Sequence, residues 1–168
     1  MNLVYRSLTP DDLDDYIAIR REMLEKTPHH FASSPADDRS NDREAMRSIL
    51  GGAPTNRVFA AFDGERLVGV TGALVEPKVK RRHALYVWGV YVAPTHRRRG
   101  IARRLLADVL SMARALPDVR QIDLGVSAEA PAARALYESL GFEAWGREPS
   151  ALLVDGKLYD ELHMQLVL

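Results

Sequence analysis

Val90-Tyr91-Val92-Ala93-Pro94-Thr95-His96-Arg97-Arg98-Arg99-Gly100-Ile101-Ala102-Arg103-Arg104-Leu105-Leu106 is the stretch that decides how this chain folds. An apolar strand runs into a proline, then three arginines and one glycine. A helical apolar pattern starts at once, with Ile101, Leu105 and Leu106 at helical spacing. A strand that passes through a tight turn into a helix aims several backbone N–H groups at one spot. The helix N-terminus adds roughly half a positive charge there. The stretch therefore reads as a pyrophosphate site. It is not a P-loop, because GxxxxGK[ST] is absent, nor a dinucleotide fingerprint, because the turn has a single glycine. What remains is Arg97-x-x-Gly100-x-Ala102. Gly100 lets backbone approach a ligand, and small Ala102 lets the helix sit close. Arg97, Arg98, Arg99 and Arg103 offer charge-assisted contacts to phosphate oxygens. Taken alone, the same turn also fits a solvated basic helix start.

The chain around this stretch alternates in type. Asn2 to Leu8 reads as a strand. Thr9-Pro10-Asp11-Asp12 reads as a helix start, followed by an apolar stripe of Leu13, Ile17, Met23 and Leu24 with Tyr16 and Arg20 beside it. Thr27 to Arg39 reads as a loop anchored by Phe31. Asn41-Asp42-Arg43-Glu44 fits a capping box for a helix ending at Leu50 before Gly51-Gly52. Arg57 to Phe62 and Leu67 to Val75 flank Asp63-Gly64, a hairpin signal. Ala84 to Val92 is a third strand of this block. After the basic turn comes a helix to Ala115, a strand from Arg120 to Val126 and a helix from Pro131 to Leu140 stopped by Gly141. Two last strands flank Asp155-Gly156. The order predicts an α/β fold with a mixed sheet of about seven strands and helices on both faces.

Composition bounds the function. The 168 residues suit one domain spanning 1–168, and 46% apolar with 27% charged residues is an ordinary globular balance. Lys+Arg and Asp+Glu both number 23, which argues against a nucleic-acid partner. The arginines of the turn are therefore a local device. No cysteine is present, so disulfides, thiolate nucleophiles and cysteine metal sites are excluded. The five histidines show no HExxH spacing, and His29-His30 reads as a solvated loop pair, so no metal is expected. There is no run of about 18 apolar residues and no signal-peptide core. No membrane partner and a cytoplasmic location are the expectation.

The second informative stretch is Pro131-Ala132-Ala133-Arg134-Ala135-Leu136-Tyr137-Glu138-Ser139-Leu140-Gly141-Phe142. Leu136 and Leu140 supply a packing face, and Tyr137 lies one residue off it, which fits either a side chain turned to a cleft or a half-buried helix tyrosine. A tyrosine hydroxyl can protonate a departing thiolate. The two stretches, in this order and separated by one strand, resemble the GNAT superfamily of N-acetyltransferases. Its acetyl-CoA signature, Arg/Gln-x-x-Gly-x-Gly/Ala, is matched by Arg97, Gly100 and Ala102. Its second signature, Asn-x-x-Ala-x-x-Leu-Tyr followed by Leu-Gly-Phe, is matched by Ala133, Leu136, Tyr137, Leu140, Gly141 and Phe142. The asparagine is replaced by Ala130, with Ser127 and Glu129 nearby as substitutes.

The resemblance implies a mostly antiparallel sheet splayed between its fourth and fifth strands, with about four helices. It implies acetyl-CoA as cosubstrate, with the pantetheine arm beside Val90, Tyr91 and Val92 and the pyrophosphate on the amides of Arg98, Arg99, Gly100, Ile101, Ala102 and Arg103. Ser127, Ala130 and Tyr137 complete the expected cofactor contacts. An acceptor amine attacks the thioester directly, a backbone N–H near Val90 steadies the oxyanion, and Tyr137 protonates the leaving thiolate. Tyr86, His83, Glu76 or a water chain are the candidate bases, and Tyr86 and Trp88 are candidates to line the acceptor pocket. Arg81-Arg82-His83 and Asp155-Gly156-Lys157-Leu158-Tyr159-Asp160-Glu161 resemble bacterial members that acetylate amino acids and other small amines. A small-molecule amine is therefore the expected acceptor. A protein N-terminus or lysine, and a non-catalytic CoA-binding module, are the alternatives. A homodimer stays open.

Overall fold

A computed structural model describes residues 2–168. Seven strands form one sheet: β1 (Leu3–Ser7), β2 (Asn56–Asp63), β3 (Arg66–Val75), β4 (Ala84–Val92), β5 (Gln121–Ser127), β6 (Glu143–Val154) and β7 (Lys157–Val167). Their order is β1-β2-β3-β4-β5-β7-β6, and all neighbours are antiparallel except β4 and β5. The four α-helices are α1 (Leu13–Lys26), α2 (Arg43–Leu50), α3 (Ile101–Ala115) and α4 (Pro131–Glu138).

Two apolar clusters, one on each face, hold the helices to the sheet. On one face Leu13, Tyr16, Ile19 and Met23 of α1 and Met46 and Leu50 of α2 pack on Val58, Ala60 and Val70. On the other, Ile101, Leu105, Leu106 and Val109 of α3 pack on Phe59, Val68, Leu85 and Val87. Alternation along β2, β3 and β4 supplies both faces, which is why these strands carry few polar residues.

The parallel pair is short. It joins only Ala84 to Gln121, Leu85 to Ile122 and Tyr86 to Asp123. Beyond Tyr86 the edges of β4 and β5 that face each other have no ladder partner. The cause is on β4. Its register against β3 slips by one residue between the pairs Gly72–Trp88 and Val70–Tyr91, and Gly89 within the slip has φ +60°. A bulge of this kind raises the local twist and bends the strand. Glycine takes that conformation without the Cβ penalty.

Local expectations are corrected at four points. The Asp63-Gly64 hairpin turns at Gly64-Glu65, because Asp63 pairs with Arg66 and stays in the ladder. The second helix is capped by Asp42, whose side chain accepts from Ala45 N–H, so Asn41 and Glu44 form no reciprocal box. The helix from Pro131 ends at Glu138 rather than Leu140, with Gly141 at φ +93° beyond it. In α1 it is Ile19 and Arg20, with Tyr16, that are buried beside Leu13 and Met23, while Ile17 is half-buried.

Candidate active site

The basic turn is built from two left-handed residues, Arg98 (φ +61°) and Gly100 (φ +76°), on either side of Arg99. Gly100 is the N-cap of α3 and offers no side-chain cap. The first helical hydrogen bond runs from Arg104 N–H to the Gly100 carbonyl. The N–H groups of Ile101, Ala102 and Arg103 therefore have no helical acceptor. An added Cβ at Gly100 would meet no protein atom within 4 Å, so its positive φ is what requires glycine within the protein itself. The first turn of α3 holds no acid, and five arginines crowd its start. Positive charge at a helix N-terminus is unfavourable alone; an anion seated on the amides removes the conflict.

Two cavities flank the split between β4 and β5. The larger, about 630 Å³, is lined by Val90, Tyr91, Val92, Arg97, Arg98, Gly100, Ile101, Ala102, Arg103, Ala130 and Tyr137. The smaller, about 280 Å³, is lined by Arg20, Tyr86, Trp88, Ser127, Tyr137 and Glu161 among others. They share Val90, Ala130, Ala133, Tyr137, His30 and Phe31, and so meet at the bulge.

Most of the expected cofactor residues line these two cavities, with qualifications. Arg99 is exposed and lines neither cavity. Arg97 turns back, its Nε donating to the Val92 carbonyl at 3.0 Å and its guanidinium lying over Tyr91. Arg103 donates to Ser139 Oγ at 2.6 Å, tying α3 to α4. The side chains of Tyr91 and Ile101 are buried in the core, with Tyr91 donating to Glu22 at 2.9 Å, so these two residues can serve a ligand through backbone. Ala130 has no polar side chain to offer. Ser127 is buried with its Oγ accepting from Glu129 N–H, and Glu129 is paired to Lys157 at 3.0 Å.

Tyr137 is 5% exposed and packs edge-on to Phe142. Its hydroxyl has no protein hydrogen bond among the described residues. Burial, with Tyr86 adding to it, pushes its phenol well above the usual value. It is fully protonated at neutral pH and holds a proton where the cavities meet.

Of the candidate bases, His83 and Glu76 line neither cavity. Their backbone serves the sheet instead: the His83 carbonyl accepts from Arg120 and Gln121, and Glu76 N–H donates to Ala84. Tyr86 does line the smaller cavity, but burial and then the nearby Glu161 carboxylate raise its phenol, which favours the neutral form. Glu161, which lines the smaller cavity, is a further candidate base that sequence reasoning missed. Its carboxylate lies over Gly125, where an added Cβ would collide with it. Burial raises its carboxyl above the usual range, and Glu148 adds to this against His163. The signal was in the register: Ser127 pairs with Glu161, which places that side chain on the same face as Asp123 and Gly125.

The loop after α1 roofs both cavities. His29 stacks on Tyr159 at 5.1 Å, and His30 and Phe31 line both cavities. The pair is therefore packed, not a solvated loop pair. Burial, then His29 and Arg97, lowers the His30 imidazole and keeps it neutral. Trp88 lies flat across Gly72, which has no Cβ to obstruct the indole.

A basic, amide-lined cleft that opens through a split sheet into a second cavity defines a class: a two-substrate transferase with a phosphate-bearing donor. Comparison gives the family. A model of the acetyltransferase (GNAT) family matches residues 16–142, and the chain belongs to that family. Human N-acetyltransferase 8 is 36% identical over 90 residues, which is 53% of this chain and 39% of that protein. A ribosomal-protein-alanine N-acetyltransferase from Brucella melitensis is 29% identical, with a TM-score of 0.81 and 98% of this chain and 99% of that one covered. The protein yncA of Salmonella typhimurium, solved with its cofactor acetyl-CoA, has the same fold, with a TM-score of 0.80 at 20% identity over 99% of this chain and 94% of that one. No helix among the described residues is long and apolar enough to cross a membrane.

Proposed function

We propose that this chain transfers the acetyl group of acetyl-CoA to the primary amine of a small metabolite, by direct attack in a ternary complex. The observation that carries this reading is the meeting of the two cavities at Val90 and Tyr137. The larger holds the donor. Its pyrophosphate sits on the amides of Arg98 to Arg103, and its arm extends along the open edge of β4 as an added strand. The smaller holds the acceptor.

In this reading the neutral amine attacks the thioester carbonyl, forming the C–N bond while the C–S bond breaks. The backbone N–H at Val90 steadies the oxyanion. Tyr137 gives its proton to the departing sulfur. Glu161 takes the proton shed by the amine, directly or through one water. Glu161→Gln should then flatten the fall of kcat/KM at low pH; an unchanged profile would place the base elsewhere.

A small acceptor fits an acceptor cavity of about 280 Å³ roofed by the loop from Thr27 to Ser33. The Brucella protein, named for action on ribosomal-protein alanine, favours a second reading in which the acceptor is a peptide N-terminus. The test is release of CoA thiol from acetyl-CoA over a panel of amino acids, amines and N-terminal peptides. Turnover confined to peptides would sink the small-amine reading. Binding of CoA with no turnover on any amine would leave a CoA-binding module.

A further inference from the structure

Acetyl transfer as described above gives no task to the one arginine inside the acceptor cavity. Arg20 of α1 is 8% exposed and lines that cavity. Its Nε and Nη2 both donate to the same oxygen of Asp38, Oδ2, at 3.1 and 2.7 Å. The other oxygen, Oδ1, is occupied by Ser40 N–H at 3.0 Å. Arg20 and Asp38 therefore do not form the two-oxygen fork usual for this pair. Nη1 reaches Met23 Sδ at 3.2 Å, a weak acceptor.

A guanidinium has five N–H groups. Three are accounted for by Asp38 and Met23, so two have no protein acceptor among the described residues. An arginine kept only to pin Asp38 has no need of an edge left facing a cavity. That edge is close to the chemistry. Nη1 stands 3.3 Å from the place a Cβ on Gly89 would take, beside Val90 where the two cavities meet. Across the same cavity, the Glu161 carboxylate lies over Gly125. The cavity thus has a donor-rich end on α1 and an anionic end on β7.

An α-amino acid has the complementary polarity, with two carboxylate oxygens on one side of Cα and the amine on the other. We propose that the acceptor is an α-amino acid, its carboxylate held by the spare N–H groups of Arg20 and its amine turned toward Glu161 and the thioester. This rests on the small-amine reading above and narrows it. Asp38 keeps the arginine charge balanced when no substrate is bound, and it fixes the plane of the guanidinium.

The test compares matched acceptors on the full wild-type chain: L-amino acids, their carboxamides and the amines formed by removing the carboxyl group. The expected result is a kcat/KM roughly 10- to 100-fold higher for the amino acid than for its decarboxylated amine, with the difference mostly in KM. Arg20→Lys keeps the charge and a bond to Asp38 but loses the spare guanidinium N–H groups. It should bring that ratio toward one, with a melting temperature recorded to show that it folds. Equal kcat/KM for amino acids and their amines in the wild type would overturn the proposal and leave the small-amine reading standing. Turnover of peptides alone would overturn both. The wild-type comparison decides the matter even if the variant does not fold.

Discussion

Tyr137→Phe isolates the chemical step, because the structure allows the hydroxyl to be removed without harm elsewhere. That oxygen has no protein partner among the described residues, so its loss leaves no buried group unsatisfied. The ring keeps its edge-on contact with Phe142, and the cavity wall is unchanged. Stability should therefore shift by less than about 0.5 kcal/mol, as for substitutions that touch no packing or hydrogen bond. A positioned general acid contributes roughly 10²- to 10⁴-fold, about 3–5 kcal/mol of barrier. Binding of acetyl-CoA should be nearly untouched, because the proposed cradle for its phosphates, the amides of Arg98 to Arg103, lies on another element. The assays are calorimetric titration with acetyl-CoA and steady-state rates with saturating acceptor. The expected outcome is wild-type affinity with kcat lowered at least about 100-fold. Equal losses in affinity and kcat would make Tyr137 a binding residue, and an unchanged kcat would remove it from the chemistry.

Three further outcomes follow from the geometry. Gly100→Val forces a β-branched residue to φ +76°, at roughly 1–2 kcal/mol or more, and should abolish acetyl-CoA binding by calorimetry; wild-type affinity would displace the pyrophosphate from this turn. Gly72→Ala puts a methyl group into the indole of Trp88, so the ring must swing toward the acceptor cavity; a loss of about 1–3 kcal/mol in urea unfolding and a raised acceptor KM are expected, and neutrality in both would mean that Trp88 has room to move. Burial pushes the Asp38 carboxyl up, but the bonds from Arg20 and Ser40 more than offset it and hold it at about 2. Because the folded value is depressed, this stability is present above about pH 4 and is lost as pH falls toward 2, by roughly 2 kcal/mol. Asp12, held at about 2 by Arg6 against burial, adds less, since that arginine is 42% exposed. Denaturant melts at pH 7, 4 and 2.5 measure this loss, and a flat profile would contradict it.

The sequence disclosed what is local. The strand from Ala84 to Val92, the turn through Gly100 and the helix to Ala115 fall within a residue of their expected places, because alternation, a proline and helical spacing lie side by side there. The Asp155-Gly156 turn was legible for the same reason, with both residues at positive φ. What escaped was set by distant partners. The loop after Lys26 carries no periodicity, yet it is fixed by a buried ion pair between Arg20 and Asp38 and by His29 stacked on Tyr159. Arg20 looked like a residue beside an apolar stripe, since nothing in a helical pattern shows that a carboxylate 18 positions later will pair with it. Glu161 was hidden because its place over Gly125 depends on the pairing of β5 with β7, a register fixed by strands far apart in the chain. His83 and Glu76 are titratable groups near β4, but neither lines a cavity at the split.

Initial velocities measured over a grid of acetyl-CoA and amino-acid concentrations test the central claim most directly. Two cavities that meet at Tyr137 and Val90 require both substrates to be bound together, so double-reciprocal lines should intersect, with acetylated amino acid and CoA formed in equal amounts. Parallel lines, or CoA released without an acetylated product, would contradict direct transfer between the two cavities.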